Sequence, residues 1–334
     1  MMLAVVKEHP GPGFAIKEVP VPEPRPGWVR IRVRATGICG SDLPIFSGLR
    51  EVRTPLIPGH EVAGEVDLLG DGVGGWRAGD RVAVNMVISC GSCAFCSAGR
   101  PSLCGELQEL GIHTDGGFAE YTVVPARNLR RIAPSLSFEE ATAVDPLACA
   151  YHGLRSVAVQ ASDRVAIFGV GVIGLYAVQL ARLHGPARVV AVGRRDAPLA
   201  LARELGADGT VNASREDPAA AIHRMIGGAT VVVEATGNPR VLHEVIEAAS
   251  QGARVLILGI FHELAPVRPW WIVRRELRIF GSLCYSGDEY EAAMDLMATR
   301  QIRPLVSHVV PLAEFARGIE LIRRRETVKV VVQP

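Results

Sequence analysis

The pattern of hydrophobic and polar positions changes character once along the chain. Up to about residue 150 the apolar runs are short, at 28–33, 62–66, 81–87 and 118–124, with glycine and proline between them. Short apolar runs closed by turn residues predict strands, here an all-β, barrel-like domain with few helices. From residue 164 the spacing alternates. A short apolar strand at 164–168 leads through a glycine-rich turn into helical spacing from about 173 to 183. Strand 188–192, helix 197–205, strand 230–234, helix 240–249 and strands 253–259 and 277–281 follow. Strands alternating with helices predict right-handed βαβ units on a parallel sheet. The tail predicts one more helix, 288–299, and a final strand, 327–332.

The 334 residues suit about two domains. The pattern divides them into 1–150, 151–287 and a tail, 288–334, expected to return to the first domain. Apolar residues make up 49% of the chain and charged residues 21%, enough for full globular cores. A net charge of +1 gives no reason to expect nucleic acid or an anionic membrane as partner. No stretch of about 18 apolar residues predicts a membrane span, and no targeting segment opens the sequence, so a cytoplasmic location is expected. Without such a segment the seven cysteines read as metal ligands and buried thiols rather than disulfides.

Gly169, Gly171 and Gly174 have G-x-G-x-x-G spacing between a predicted strand and a predicted helix, the context that gives this pattern meaning. The first glycine permits the tight turn, the second lets the backbone approach a pyrophosphate, and the third lets the helix pack on the strand. The pyrophosphate would sit at the helix N-terminus, beside Val172 and Ile173, where free N–H groups favour negative charge. An NAD site usually has a carboxylate about 20 residues further on, for the ribose 2′-hydroxyl. Gly193 stands there, followed by Arg194 and Arg195. Guanidinium groups suit a 2′-phosphate, so NADP(H) is favoured over NAD(H). The alternative is that the arginines are solvated and Asp196 bends back to the ribose.

Cys90, Cys93, Cys96 and Cys104 form C-x2-C-x2-C-x7-C. Four thiolates at such spacing can close around one tetrahedral zinc, and a full shell leaves no open position, which makes that metal structural. An iron–sulfur run would continue x3-C-P and have a second set, which this sequence lacks.

Three further segments carry ligand-type residues: Gly37-Ile38-Cys39-Gly40-Ser41-Asp42, Pro58-Gly59-His60-Glu61-Val62, and Val144-Asp145-Pro146-Leu147. Spacing alone does not join them. Taken in order with the cysteine lobe, the glycine loop and Val231-Val232-Val233-Glu234-Ala235-Thr236-Gly237, they resemble the zinc-dependent medium-chain dehydrogenases/reductases, the alcohol, sorbitol, threonine and butanediol dehydrogenases. The resemblance covers nearly the whole chain. It implies a Rossmann doubly wound parallel sheet plus a mainly-β, GroES-like catalytic domain.

It also implies a second, catalytic zinc, two per chain in all, on Cys39, His60 and Asp145, with Glu61 joining or exchanging as a further carboxylate. Asp42 would orient His60. An open zinc would act as Lewis acid on the substrate oxygen, Ser41 would be the first proton acceptor, and hydride would pass to or from nicotinamide. Ala235, Thr236, Gly259 and Lys329 join the cofactor-binding candidates. Cys149, four residues beyond Asp145, reads as a packing thiol.

Candidates for the substrate pocket are Phe46, Leu49, His113, Phe118 and Tyr285. His113 suits either a substrate hydroxyl or a surface loop. Trp270-Trp271 suits pocket wall or subunit interface, with interface favoured. The expected reaction joins NADP(H) to a secondary alcohol or ketone, of polyol or sugar type. A looser similarity to aminocyclitol dehydrogenases adds an amino-substituted ring alcohol. The expected assembly is a homodimer or homotetramer. The alternatives are a catalytically silent metal-binding or regulatory protein on the same fold, and a zinc-free quinone or enone reductase. The latter would lack the cysteine lobe and the Gly59-His60-Glu61 segment.

Overall fold

A computed structural model describes residues 1–334. They form two compact units, Met1–Asp145 with Tyr285–Pro334, and Pro146–Cys284. The joints therefore fall at 145/146 and 284/285, against expected joints after 150 and 287.

The first unit begins with β1 (Met2–Val6), β2 (Ala15–Val19), β3 (Trp28–Ile38), helix α1 (Asp42–Ser47), β4 (Glu61–Leu69), β5 (Arg81–Val84) and β6 (Val87–Ile88). Helix α2 (Ala94–Ser97), β7 (Gln108–Glu109), β8 (Tyr121–Pro125), β9 (Leu129–Arg131) and α3 (Phe138–Thr142) follow, and α4 (Val144–Val157) carries the chain into the second unit. That unit holds β10 (Arg164–Phe168), α5 (Val172–Leu183), β11 (Arg188–Gly193), α6 (Asp196–Glu204), β12 (Gly209–Asn212) and α7 (Pro218–Ile226). It continues with β13 (Ala229–Glu234), α8 (Pro239–Ala248), β14 (Ala249–Ile257), α9 (Pro269–Arg274) and β15 (Arg278–Gly281). The tail adds α10 (Gly287–Ala298), β16 (His308–Pro311), α11 (Phe315–Arg323) and β17 (Val330–Gln333) to the first unit.

In the first unit a seven-stranded sheet runs β16-β17-β3-β4-β5-β9, with β8 also paired to β3. Strand β3 shows why: Val29, Ile31 and Val33 are buried while Arg30, Arg32 and Arg34 point the other way. That two-residue period commits one face to the core. Register then sets the site, because Gly37 faces Glu61 across β3–β4 and Val331 across β17–β3.

In the second unit six parallel strands run β12-β11-β10-β13-β14-β15. This is the doubly wound order, whose switch point lies between the C-terminal ends of β10 and β13. Several elements of this half and the tail were not anticipated, among them α7, β12 and α11. Helix α7 has plain start and stop signals, Asp217 capping Ala220 with Pro218 at its first position and Gly227 left-handed at its end. Its alanine-rich sequence blurs the apolar period. Strand β12 is only four residues long. Helix α11 carries Phe315 and Ile319 on one face, interrupted by Gly318, where a Cβ would stand 2.9 Å from Ile38.

Candidate active site

Strand β3 delivers Cys39 at its end, and β4 starts at Glu61 directly after His60. The donor atoms of Cys39, His60 and Glu61 all lie within 4.8 Å of one another, and His60 and Glu61 are buried. Buried polar atoms normally have partners. Here His60 Nδ1, Asp42 Oδ1 and Glu61 Oε1 have no hydrogen-bond partner. A thiol, an imidazole and a carboxylate whose donor atoms converge fit a zinc ion.

Asp42 accepts a hydrogen bond from the Cys39 N–H at 2.8 Å through Oδ2, while its Oδ1 stands 3.7 Å from His60 Nδ1. That gap is too long for a hydrogen bond. Asp42 holds the Cys39 turn and faces the imidazole electrostatically. Burial works against a charged imidazole, yet Asp42, Cys39 and Asp145 together raise the His60 pKa well above the usual range. Burial also raises the Asp42 carboxyl. Ser41 is half-buried just before α1, and its side chain makes no capping bond.

Asp145, in the first turn of α4, is 3% exposed and is not within the Cys39–His60–Glu61 set. Its Oδ2 accepts from the Tyr285 hydroxyl. Burial lifts its carboxyl to about 6, against the pull of His60.

Lys329, expected at the cofactor, lies beside Glu61. It is 2% exposed, its ammonium is ion-paired with Glu61, and it donates to the Ile38 carbonyl at 3.1 Å. Glu61 outweighs burial and raises the lysine pKa. Gly37 makes this pair possible, since a Cβ there would stand 1.8 Å from Glu61 Oε2 and 2.8 Å from Lys329 Cε. Sequence spacing did not reveal the pair; a lysine in an otherwise apolar terminal strand was the available signal.

The cysteine lobe brings all four sulfurs within 4.8 Å of one another. Cys90 and Cys96 Sγ are 3.9 Å apart, and Cys93 and Cys96 Sγ 3.6 Å. A tetrahedron of ~2.3 Å zinc–sulfur bonds has edges of about 3.8 Å. Backbone N–H groups of Ser92 and Cys93 hold the Cys90 thiol down to about 6, and Glu106 N–H donates to Cys104 Sγ at 3.4 Å. N–H donors to the sulfurs suit thiolates on a metal.

The glycine loop joins β10 to α5. Gly169 has φ 105°, and Gly171 caps α5. A Cβ on Gly174 would stand 1.8 Å from the Gly169 carbonyl oxygen, so the loop closes only on glycine. Val172 and Ile173 form the first turn of α5, whose N–H groups are unpaired within the helix. At the end of β13, Ala235 N–H donates to Phe168 O, and Glu234 accepts from the Thr236 and Gly237 N–H groups. Gly259 lies against that turn, 2.2 Å from Glu234 Oε2 for a Cβ.

At the end of β11, Gly193 is buried; a Cβ there would meet Val170 at 2.4 Å. Arg194 and Arg195 follow, both exposed. The Arg194 Nε lies 3.5 Å from Ser214 Oγ. Asp196 accepts from Asn212 at 2.8 Å and Arg215 at 2.7 Å, and these bonds, Asn212 first, lower its pKa. Ser214 and Arg215 were missed because they lie on the following strand's loop.

The proposed pocket residues separate. Leu49 is 64% exposed and Phe46 half-buried against Phe14. His113 is held through Nδ1, which accepts from Glu109 N–H at 3.0 Å, beside a cavity of about 380 Å³ also lined by Arg50 and Arg53. Phe118 and Tyr285 lie inside the first unit. Both are fully buried, Phe118 packed on Phe315 in the core and Tyr285 on Tyr290. Aromatic character reads alike for pocket wall and core. Trp270 is 61% exposed on α9, while Trp271 packs on the second unit's core.

Comparison with known proteins agrees with this architecture. Residues 25–134 match the alcohol dehydrogenase GroES-like domain and 172–299 the zinc-binding dehydrogenase family. An L-threonine 3-dehydrogenase of Anaeromyxobacter sp. (strain Fw109-5) is 36% identical over 342 residues, 99% of each chain. A zinc-binding dehydrogenase from Sinorhizobium meliloti 1021, bound to NADP, is 37% identical with TM-score 0.92, covering 100% of this chain and 99% of that one. The rspB alcohol dehydrogenase of E. coli CFT073, complexed with NADH, is 33% identical with TM-score 0.93, over 100% and 99%.

Fold and sites together define an α/β oxidoreductase with a Rossmann sheet and a GroES-like domain. The chain belongs to the zinc-dependent medium-chain dehydrogenase/reductase family. Its enzyme type is the zinc-dependent alcohol dehydrogenase, with a nicotinamide cofactor. No helix is long and apolar enough to cross a membrane.

Proposed function

We propose that this enzyme transfers hydride between NADP(H) and a secondary alcohol or ketone of polyol, sugar or aminocyclitol type. The observation that carries the reading is the convergence of the Cys39, His60 and Glu61 donor atoms within 4.8 Å of one another, with His60 and Glu61 buried. These residues, with Asp145 adjacent, would hold a catalytic zinc, and the four-cysteine lobe a structural one, two per chain. Bound there, zinc supplies Lewis acidity that lowers the pKa of a substrate hydroxyl. Ser41, whose hydroxyl is free of capping duty, takes the substrate proton. Asp42 and Lys329 hold Cys39 and Glu61 in place. A second carboxylate, Asp145, favours a substrate with hydroxyl or amino groups beside the reacting carbon.

The NADP reading is supported by Asp196, which is tied to Asn212 and Arg215 rather than free for a ribose hydroxyl. Arg194, Arg195, Ser214 and Arg215 offer donors suited to a 2′-phosphate. A second copy of the chain is the proposed partner. Strand β15 ends the six-stranded sheet, and Ile279, Leu283, Trp270 and Val273 nearby in sequence are exposed, a pattern suited to strand pairing between copies.

A panel of polyols, secondary alcohols and amino-substituted ring alcohols, assayed with both cofactors while zinc is counted, tests the reading. Expected are two zinc ions per chain and a higher kcat/KM with NADP. A clear NAD preference would overturn the cofactor assignment, and inactivity on every secondary alcohol the reaction itself.

A further inference from the structure

We propose that Tyr285 is a positioning residue of the metal site: its hydroxyl fixes the Asp145 carboxylate beside Cys39, His60 and Glu61. This rests on the reading of that cluster as a zinc site. The Tyr285 hydroxyl donates to Asp145 Oδ2, across 140 residues of sequence. The two residues are 0% and 3% exposed. The bond engages the Asp145 Oδ2 atom. Asp145 interacts electrostatically with both His60 and Glu61, so its carboxylate belongs to the same charged group.

The local sequence locks the tyrosine. Ser286 caps α10, and Ser286 and Glu289 satisfy each other's backbone N–H groups in a capping box. Tyr285 immediately precedes the cap, and Tyr290 is the fourth helical residue. Their rings pack at 5.3 Å with planes 35° apart. An apolar pair at these two positions staples the chain as it enters a helix and fixes its angle. On the other side, Cys284 is buried with φ 51°, a conformation that non-glycine residues adopt only where the surroundings hold them. Capping box, staple and left-handed Cys284 converge on one result, a phenol with a fixed direction. Phenylalanine would fill the same space. The hydroxyl is needed because a buried carboxylate requires a donor.

The test measures cobalt(II) binding to the full-length chain with the four-thiolate lobe left zinc-loaded. Tyr285→Phe, Asp145→Asn and the double variant are compared with the wild type. The readouts are the dissociation constant, by chelator competition, and the visible spectrum of bound cobalt. Loss of a group that orients a metal-site residue typically weakens binding about 10–100-fold. Tyr285→Phe is expected to weaken cobalt binding about 10-fold and to shift its spectrum. In the Asp145→Asn background the same change should alter binding less than about 2-fold, because its partner is gone. Asp145→Asn alone gives an independent arm, with a similar loss and a spectral shift. An unchanged constant and spectrum in Tyr285→Phe would overturn the proposal. So would an equal loss in both backgrounds, which marks a packing role. A wild type that binds no cobalt beyond the lobe would instead overturn the metal site itself, and this assignment with it.

Discussion

Lys329→Met isolates the energetics of the buried site. Glu61 is 1% exposed and Lys329 2%, and the ammonium stands beside Glu61 Oε2. Methionine keeps most of the volume and removes the charge, leaving a buried, uncompensated carboxylate. Removing one partner of a buried pair costs about 3–5 kcal/mol. The backbone offers no relief, because Gly37 already supplies the space that the Glu61 carboxylate occupies. At about 2–4 °C per kcal/mol, the thermal transition of the first unit falls by roughly 6–20 °C. The lysine pKa is raised above 10.5. Its stabilisation is thus fully present below that value and lost only as pH rises through the folded pKa. Melts followed by near-ultraviolet circular dichroism at about pH 8, in metal-free protein, read the whole effect. The double variant Glu61→Leu with Lys329→Met should recover most of the loss, since apolar replacement of a buried pair is often neutral. Zinc added to the single variant should recover part of it, because Glu61 again faces a cation. A single-variant loss below about 1 kcal/mol, well under the range for such pairs, refutes the reasoning. So does a double variant no more stable than the single one.

Ser41→Ala should lower kcat by about 100-fold or more with zinc content unchanged, as loss of a proton acceptor does; near-wild-type turnover removes Ser41 from the mechanism. Arg194→Ala should raise the KM for NADP by about 10-fold or more and leave that for NAD alone, the size of one charge-assisted hydrogen bond. Equal effects on both cofactors would count against a 2′-phosphate contact. Asp163 accepts from Thr230, Gln160 and Arg254, which outweigh its burial and lower its pKa. That stability is present above the unfolded value of about 3.9 and lost as pH falls through the folded pKa. Asp163→Asn should therefore melt lower than wild type at pH 7, with the difference shrinking below about pH 4. A difference independent of pH would contradict the assignment.

The four-thiolate lobe and the glycine loop were readable because their geometry is local. Cys90 to Cys104 and Gly169 to Gly174 each lie within one short segment, so spacing carries the constraint. The Cys39–His60–Glu61 cluster was expected only through resemblance, since nothing in sequence distance joins Cys39 to Glu61 or Asp145. Lys329 and Tyr285 were both singled out, but their partners Glu61 and Asp145 were not read. The partner of Tyr285 lies 140 residues away, and Lys329 reaches Glu61 from the position just before the last strand of the chain. Residue type alone cannot separate a cofactor-facing lysine from a buried counter-ion. For Phe118 likewise, packing on Phe315 depends on α11, which the apolar pattern did not reveal.

One sheet explains how these distant residues meet. Strands β17, β3 and β4 are neighbours, and their register sets Val330 opposite Ile38, Val331 opposite Gly37, and Gly37 opposite Glu61. Lys329 comes one residue before Val330, and Cys39 one residue after Ile38. The counter-ion, the thiol and the carboxylate are thus fixed by backbone pairing before any side chain chooses a rotamer. A one-residue slip of β17 would turn its side chains to the other face, taking the register that brings Lys329 to Glu61 with it. The tail also carries Tyr285, the donor to Asp145. Residues 1–145 therefore hold all four expected ligands of the second metal site but neither of the partners that orient its two carboxylates. Those arrive only when residues 285–334 close onto the same unit.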